Sequence, residues 1–313
     1  MTTPVSVLPP PARRRAGGGR LLPYGLLAPA TVVLGLVLVY PLIRLIQLSV
    51  QKFGLRQQFG APADYAGLAN YRRVLTDPQF WAVLGRTVAL CAVTVVLTLV
   101  IGMLVALLIQ RVGRALKVAV LTSLLLAWAM PPVSSTIVWQ WMFDTQYGLV
   151  NWTLTALGVG DFEGHSWLSE PLSFFTVAAL VVVWMGVPFV AFTLYAGLTQ
   201  VPRELLEAAQ LDGAGGFQRF RHVIGPLLKP IILILTALSV LWNFRVFTQI
   251  YVLQKAGGVS RDTNVLGVYA YRVSIGENRF DVGAALAVVM VVIMMIFTAF
   301  YLRLLMRQRK EEL

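Results

Sequence analysis

Six stretches of this chain are each apolar over at least the length a helix needs to cross a bilayer, roughly 20 residues for a hydrocarbon core of about 30 Å. They are residues 21–43, 88–109, 118–143, 172–198, 227–253 and 282–306. No interior window of similar length reads as a soluble domain. In hydrocarbon each backbone N–H and C=O must find its partner inside the segment, which selects helices for such stretches. The expected fold class is therefore all-α, a polytopic membrane protein with six transmembrane helices. The balance of residue types agrees: 58% are hydrophobic and 13% charged, against about 25% charged in soluble domains. An ordinary soluble enzyme, a disordered chain and a disulfide scaffold are excluded. The single cysteine, Cys91, can form no internal bridge and is too few for a cysteine-built metal site.

Several spans carry Pro or Gly inside them: Pro131-Pro132, Gly186 with Pro188, and Pro230. Membrane helices tolerate such residues where neighbours satisfy the freed backbone groups, and breaks of this kind can line a pathway. Residues 1–20 are rich in Pro, Gly and Arg, including Arg13-Arg14-Arg15, and have no apolar periodicity. They read as a disordered tail. The apolar run that follows is too long for a signal-peptide core and lacks a small-residue cleavage site. It reads as an uncleaved first transmembrane helix, residues 21–50.

The net charge of +12 comes from 26 Lys and Arg against 14 Asp and Glu. With the N-terminus inside, the inner segments hold fifteen basic and five acidic residues, whereas the outer ones hold nine of each. Arg44 and Arg245, at or within spans, supply the remainder. A basic excess confined to one side is a topology signal. It predicts a cytoplasmic N-terminus and a cytoplasmic C-terminus, with residues 307–313 as a second tail, and removes the main support for a nucleic-acid partner. The outer segments are 44–87, 144–171 and 254–281. The first carries Tyr65, Tyr71 and Trp81, and its residues 51–87 are expected along the interface. Trp139, Trp141, Trp152 and Trp167 near the outer boundary read as an aromatic belt.

The core, residues 88–306, contains one inner segment with internal design, residues 199–226. Pro202 suits a first helical turn and Glu204 the positive end of the dipole. Glu207, Ala208 and Ala209 are good helix formers. Gly213 is a C-terminal stop, because glycine adopts the left-handed cap at no steric cost. Asp212 sits at the wrong end of a helix for its charge and is assigned to an Asp-Gly turn. Phe217, Phe220 and Ile224 then fall on one face of a second short helix, with Pro226 and Pro230 bracketing the start of the fifth span. Helix, sharp turn and helix fit two roles equally: a unit that inserts into a cytoplasmic partner, or an amphipathic connector that shields the bundle.

Glu207-Ala208-Ala209, three residues, Gly213, nine residues, a β-branched residue at 223 and Pro226 form a 20-residue pattern that resembles the coupling (EAA) loop of ABC-importer permeases. Asp212-Gly213-Ala214 narrows the resemblance to the carbohydrate-uptake group. Pro131-Pro132, Trp139, Gly148 and Asn151 in the third-span region, Trp184 and Pro188-Phe189 in the fourth, and Asn70-Tyr71 with Asp77 in the first outer segment resemble the same group. Leu27-Ala28-Pro29-Ala30 and Tyr40-Pro41-Leu42 resemble the maltose-transporter first-permease type. Val223 replaces the usual Ile and Gly225 the usual Leu, the latter expected to loosen the turn before Pro226. Residues 254–259 depart from the usual Gly-Gly-Pro run of the third outer loop.

The resemblance implies a permease subunit of a bacterial cell-membrane, binding-protein-dependent sugar importer working by alternating access. It further implies a second permease subunit in a heterodimer, two ATP-binding cassette subunits and an extracytoplasmic solute-binding protein. Glu207, Ala208, Ala209, Asp212, Gly213 and Pro226 would couple to the ATPase. None of the five lysines precedes Ser or Thr, so no G-x-x-x-x-G-K-[ST] loop exists in this chain. ATP and Mg are expected in a partner chain, with no cofactor and no metal here. His165 and His222 fall on opposite sides of the membrane, and no catalytic residues are assigned.

Sugars present hydroxyls to polar side chains and C–H faces to aromatic rings. Trp184, Asn243, Arg245 and Gln249 are the candidate substrate contacts, with Tyr195 and Trp242 as further rings. Arg245 lies about 18 residues past Leu227, roughly 27 Å along a helix, where it either meets substrate or snorkels to headgroups. An ion-coupled secondary transporter would need mid-span carboxylates, and no span holds one deep inside it. A non-transporting membrane scaffold is the third class.

Overall fold

The computed structural model describes residues 22–311; the tail expected over 1–20 lies outside them. The helices are α1 Leu22–Leu34, α2 Tyr40–Ser49, α3 Leu55–Gln58, α4 Ala69–Thr76, α5 Pro78–Arg111, α6 Arg114–Ala129, α7 Pro132–Met142, α8 Leu149–Ala156, α9 Pro171–Leu198, α10 Arg203–Leu211, α11 Gly216–Arg219, α12 Gly225–Asn243, α13 Thr248–Lys255, α14 Ser260–Thr263, α15 Leu266–Tyr271 and α16 Phe280–Glu311. Among the described residues the only strand pairing is a two-residue ladder, Gln51 to Tyr65 and Lys52 to Asp64, between β1 Gln51–Lys52 and β2 Asp64–Tyr65. The chain divides into two units, residues 1–47 and 48–313. The first contains α1, a π-helical turn Gly35–Val39 and most of α2. Together they form an apolar helix that passes Pro29 and Pro41 without a break.

The second unit is built on α5 and α9. The α5 helix begins ten residues before the apolar stretch that announced it. Asp77 caps it, its carboxylate accepting the Gln79 amide at 2.9 Å, and Pro78 fills the first turn, where a missing N–H is harmless. It then runs 34 residues unbroken. In lipid the apolar effect does not drive helices together, so close packing must. Gly102 of α5 lies directly under Val190 and Ala191 of α9, and Gly186 of α9 lies under Thr98 of α5. The α12 helix closes the same core, with Ala106, Val190, Leu194, Leu228 and Leu235 buried together. On the other flank α16 contributes Val282, Ala285 and Leu286 to a cluster with Phe80, Val83, Cys91 and Val95.

Two of the expected straight spans are broken. The third becomes α6 and α7, bent by 103°. Pro131 and Pro132 each push the preceding residue out of the helical region, and Met130 and Pro131 take ψ values of 133° and 139°. The fifth ends at Asn243, and α13 resumes only at Thr248, so 227–253 is not one helix. At its other end the fifth span is longer than expected. The α11 helix, a π-helical turn Phe220–Ile224 and α12 form one apolar helix over Gly216–Asn243. Pro226 does not interrupt it, because the π turn, in which the Gly225 amide reaches Phe220 O, widens the helix where the ring must fit. Gly225 is helical there, so the expected loosening does not occur. Five described helices, or six with the bent pair, are long and apolar enough to cross a membrane.

One end of the unit is sewn together from distant segments. Asn70 donates to Ser49 O and Gln51 O at 3.0 and 2.8 Å. Tyr269 donates to the Asp77 carboxylate at 2.9 Å, and burial, then that carboxylate, hold its phenol well above the ordinary value. Buried Thr87 accepts the Leu266 amide at 2.9 Å, and Gln79 and Arg86 both donate to Arg261 O. These bonds place segments 48–87 and 254–281 at the same end.

Candidate functional site

The segment 199–226 folds as helix, turn and helix. Pro202 stands just before α10, with Glu204 in its first turn. The C-terminus is a Schellman cap: the Ala214 amide bonds Ala209 O at 2.9 Å and the Gly213 amide bonds Gln210 O at 3.1 Å. This requires Gly213 at φ +79°, in the left-handed region, and a Cβ added there would meet nothing within 4 Å. Asp212 is the cap residue, at φ −74° and ψ 5°. Arg219 donates to the Gln210 side chain at 3.3 Å and ties the two arms.

Glu207, Ala208, Asp212, Gly213 and Pro226 are exposed and Ala209 is half-buried. Ala209, Asp212 and Gly213 share a shallow cavity of about 390 Å3 with Gln218, Arg219 and His222. Pro226 stands apart from it, in the helix that carries the second arm onward. The loop leaves large apolar side chains uncovered: Leu205, Leu211, which is 90% exposed, and Phe217. A rigid, charged turn that presents bare leucines fits either a protein contact or a membrane-facing connector.

The four candidate substrate contacts divide. Trp184 of α9 is half-buried and meets Trp139 of α7 edge-on, ring centroids 6.2 Å apart. Gln249 of α13 donates to Met185 Sδ at 3.4 Å. Both therefore lie where the two broken spans, α7 and α13, pack against each other and against α9. Asn243 is the last residue of α12, half-buried. Arg245 does not lie within a span. It sits in the break after α12, exposed, donating to Leu241 O at 3.1 Å. It borders a separate groove of about 680 Å3 between α12 and α16, lined by Met290, Met294 and Thr298.

Three aromatic residues near the junction escaped the sequence reading. Phe247 stacks on Tyr251 at 5.3 Å, both meet Tyr271 edge-on at 5.5 Å, and Lys255 Nζ lies 4.6 Å over the Tyr251 ring. The spacing of Phe247 and Tyr251, one helical turn, was the available signal. Of the further rings, Trp242 packs edge-on to Phe189 at 5.1 Å, and Tyr195 lies under Lys117 Nζ at 5.5 Å.

Of the four tryptophans assigned to a belt, two are exposed and two are engaged inside the fold. Trp141 and Trp152 are exposed. Trp139 stacks on Phe143, and Trp167 donates its indole N–H to Asn151. Buried Asn151 also donates to His165 O at 2.9 Å, and at 3.3 and 3.4 Å to Thr145 O and Asp144 O, which locks the segment between α7 and α9. The Tyr147 amide, then that of Gln146, hold the Asp144 carboxyl below its ordinary range. The Ser166 hydroxyl pairs with Ser169, not with His165. No group of three or more metal-ligating side chains occurs among the described residues.

The family model described as binding-protein-dependent transport system inner membrane component matches residues 98–310. The diacetylchitobiose uptake system permease protein DasB of Streptomyces coelicolor is 42% identical over 96% of this chain and 92% of its own length. The sulfoquinovosyl glycerol transport system permease protein SmoG of Agrobacterium fabrum is 36% identical over 92% and 91%. The trehalose/maltose transport system permease protein MalF of Thermococcus litoralis is 35% identical over 76% and 79%. Among solved structures, a bacterial ABC transporter that imports the acidic polysaccharide alginate superposes with a TM-score of 0.78. It has 22% identity over 91% of this chain and 95% of that one, which speaks for the fold alone. Broken third and fifth spans, a capped helical turn between the fourth and fifth, and a family match over all of them make one assignment: the chain belongs to the inner-membrane components of binding-protein-dependent transport systems.

Proposed function

We propose that this chain is the membrane-spanning subunit of a sugar importer of the ABC class, taking up a disaccharide or oligosaccharide by alternating access. The permease relatives named for diacetylchitobiose and for trehalose/maltose support the substrate class. The chain pairs with a second permease subunit, receives sugar from an extracytoplasmic solute-binding protein, and sits on two ATP-binding cassette subunits that bind ATP and Mg. It resides in the bacterial inner membrane with both termini in the cytoplasm.

The observation that carries the coupling role is the α10 cap. A Schellman turn fixed by Gly213, with Glu207, Ala208 and Asp212 exposed beside bare Leu211, gives a partner a rigid handle. The second arm has no joint before the fifth span, because α11 passes through the π turn and Pro226 into α12. A push on the handle therefore reaches the helix that ends at Asn243, next to the break where sugar is proposed to meet Trp184, Asn243 and Gln249. Arg245, on the other groove, acts at most from outside that junction.

The test is the assembled transporter in proteoliposomes carrying Gly213→Pro. Proline fixes φ near −65° and removes the amide that bonds Gln210 O. The expected result is normal insertion and continued ATP hydrolysis with uptake abolished; normal uptake overturns the coupling role. A cysteine at Ala209 is expected to crosslink to an ATPase chain, and failure of every position across 203–219 to do so refutes docking there.

A further inference from the structure

A second binding surface lies on the membrane flank of α5. Val100, Leu104, Leu107 and Arg111 fall at successive turns of one face and line a groove of about 500 Å3, whose far wall is Phe217 and Phe220 of the loop's second arm. Leu104 is 61% and Phe217 75% exposed. From Val100 to Arg111 is eleven residues, about 16 Å of helix. Half a hydrocarbon core is about 15 Å. The groove is thus one leaflet long, apolar throughout, with a cation at its headgroup end.

The opposite end of the same helix gives the contrast. Arg86 stands 25 residues from Arg111, roughly 38 Å, so the two arginines mark the two headgroup levels of α5. Arg86 is engaged: it donates to Arg261 O at 2.9 Å and lies 3.8 Å from the Asp262 carboxylate. Arg111 has no such partner among the described residues. Among the described residues the only ion pairs are Arg86 with Asp262 and Arg279 with Glu277. A further apolar groove continues along the outer half of the same helix, from Arg86 to Ile101 against α9, but its arginine is already paired. An acyl chain needs one leaflet, and a phosphate supplies the missing anion. Basic sites between membrane helices suit anionic lipid headgroups for this reason.

We propose that the α5 groove holds one acyl chain of an anionic phospholipid whose phosphate pairs with Arg111, and that this lipid braces Phe217 and Phe220 in the coupling loop. The proposal rests on the membrane embedding of α5 and is independent of which solute is carried. It is tested on the assembled complex, purified in mild detergent and titrated with phosphatidylglycerol or phosphatidylcholine, with bound lipid counted by native mass spectrometry. The wild type is expected to bind one more phosphatidylglycerol than Arg111→Gln or the groove-filling Leu104→Trp, at about tenfold higher affinity, and to show no such site for phosphatidylcholine. Arg111→Lys, which keeps the charge, is expected to retain the lipid. Equal phosphatidylglycerol retention by wild type, Arg111→Gln and Leu104→Trp overturns the proposal. So does equal retention of both lipids by the wild type, or crosslinking of a cysteine at position 104 to another subunit, which would make the groove a protein interface.

Discussion

Asn151 shows how one side chain can hold a whole extramembrane segment. Its amide nitrogen lies within donating distance of three carbonyls and its oxygen takes the Trp167 indole N–H, so both ends of the group are engaged. Sequence pattern marked Asn151 as part of a family motif but could not say what it bonds, because its partners are backbone atoms of no particular residue type. For the same reason Trp167 looked like a belt residue: an indole at a membrane boundary and an indole in a polar hub have the same spacing. Leaving buried donors or acceptors unpaired costs roughly 1–3 kcal/mol each. Asn151→Ala is therefore expected to lower the apparent melting midpoint of the purified complex. Asn151→Asp keeps the size but replaces the donor with an acceptor facing three carbonyls, and should be at least as damaging. A wild-type midpoint for the aspartate variant would show that the hub does not anchor the segment.

At the scale of elements, the sequence disclosed which stretches enter the membrane and concealed how they bend. Hydropathy is blind to direction, so 118–143 read as one span although its two prolines turn the chain by 103°. The break after Asn243 carries no proline at all. Buried Phe244 and Val246 keep the sequence apolar through it. The α10 turn was legible because its cap depends on local chemistry, a left-handed glycine after a helix. The α5 and α9 seam was not, since close approach is a property of two helices at once. It makes a graded prediction. A Cβ on Gly102 would lie 2.5 Å from a Val190 methyl and 3.3 Å from the Ala191 backbone nitrogen, so Gly102→Ala must push the helices apart. Overpacking of this kind costs about 1–3 kcal/mol. A Cβ on Gly186 meets only the Thr98 side chain, its methyl at 3.0 Å. Gly186→Ala is expected to be milder, and Thr98→Ser, which removes that methyl, to restore it. Val190→Ala should rescue Gly102→Ala only in part, because the backbone contact remains. Thermal melts of the four single variants and two pairs decide it; equal losses at the two glycines, or no rescue by Thr98→Ser, would mean the seam is not close-packed as described.

At the scale of the molecule, the charge count and the hydrogen bonds divide the chain in the same way by independent routes. Segments 48–87 and 254–281 are joined through Asp77, Thr87 and Arg86. The C-terminal end of α5 shares a groove with Phe217 and Phe220 of the segment 199–226. Each pairing unites segments that the charge count assigned to one side: balanced charges on the first, a basic excess on the second. Hydrogen bonds say which segments lie together, and only the charge asymmetry says which end faces the cytoplasm. The orientation therefore has its own test. Cys91 is buried, so Cys91→Ala gives a background without an accessible thiol. In intact cells a membrane-impermeant maleimide should label a cysteine at Gly257, and should label one at Gln218 only after the membrane is opened. Gln218 is the sharper probe, because it lies beside the proposed ATPase handle, where a bound partner will also slow its labelling in opened membranes. Labelling of position 218 from outside would invert the molecule and remove the α10 turn from the ATP side, and with it the coupling role, whatever solute the complex carries.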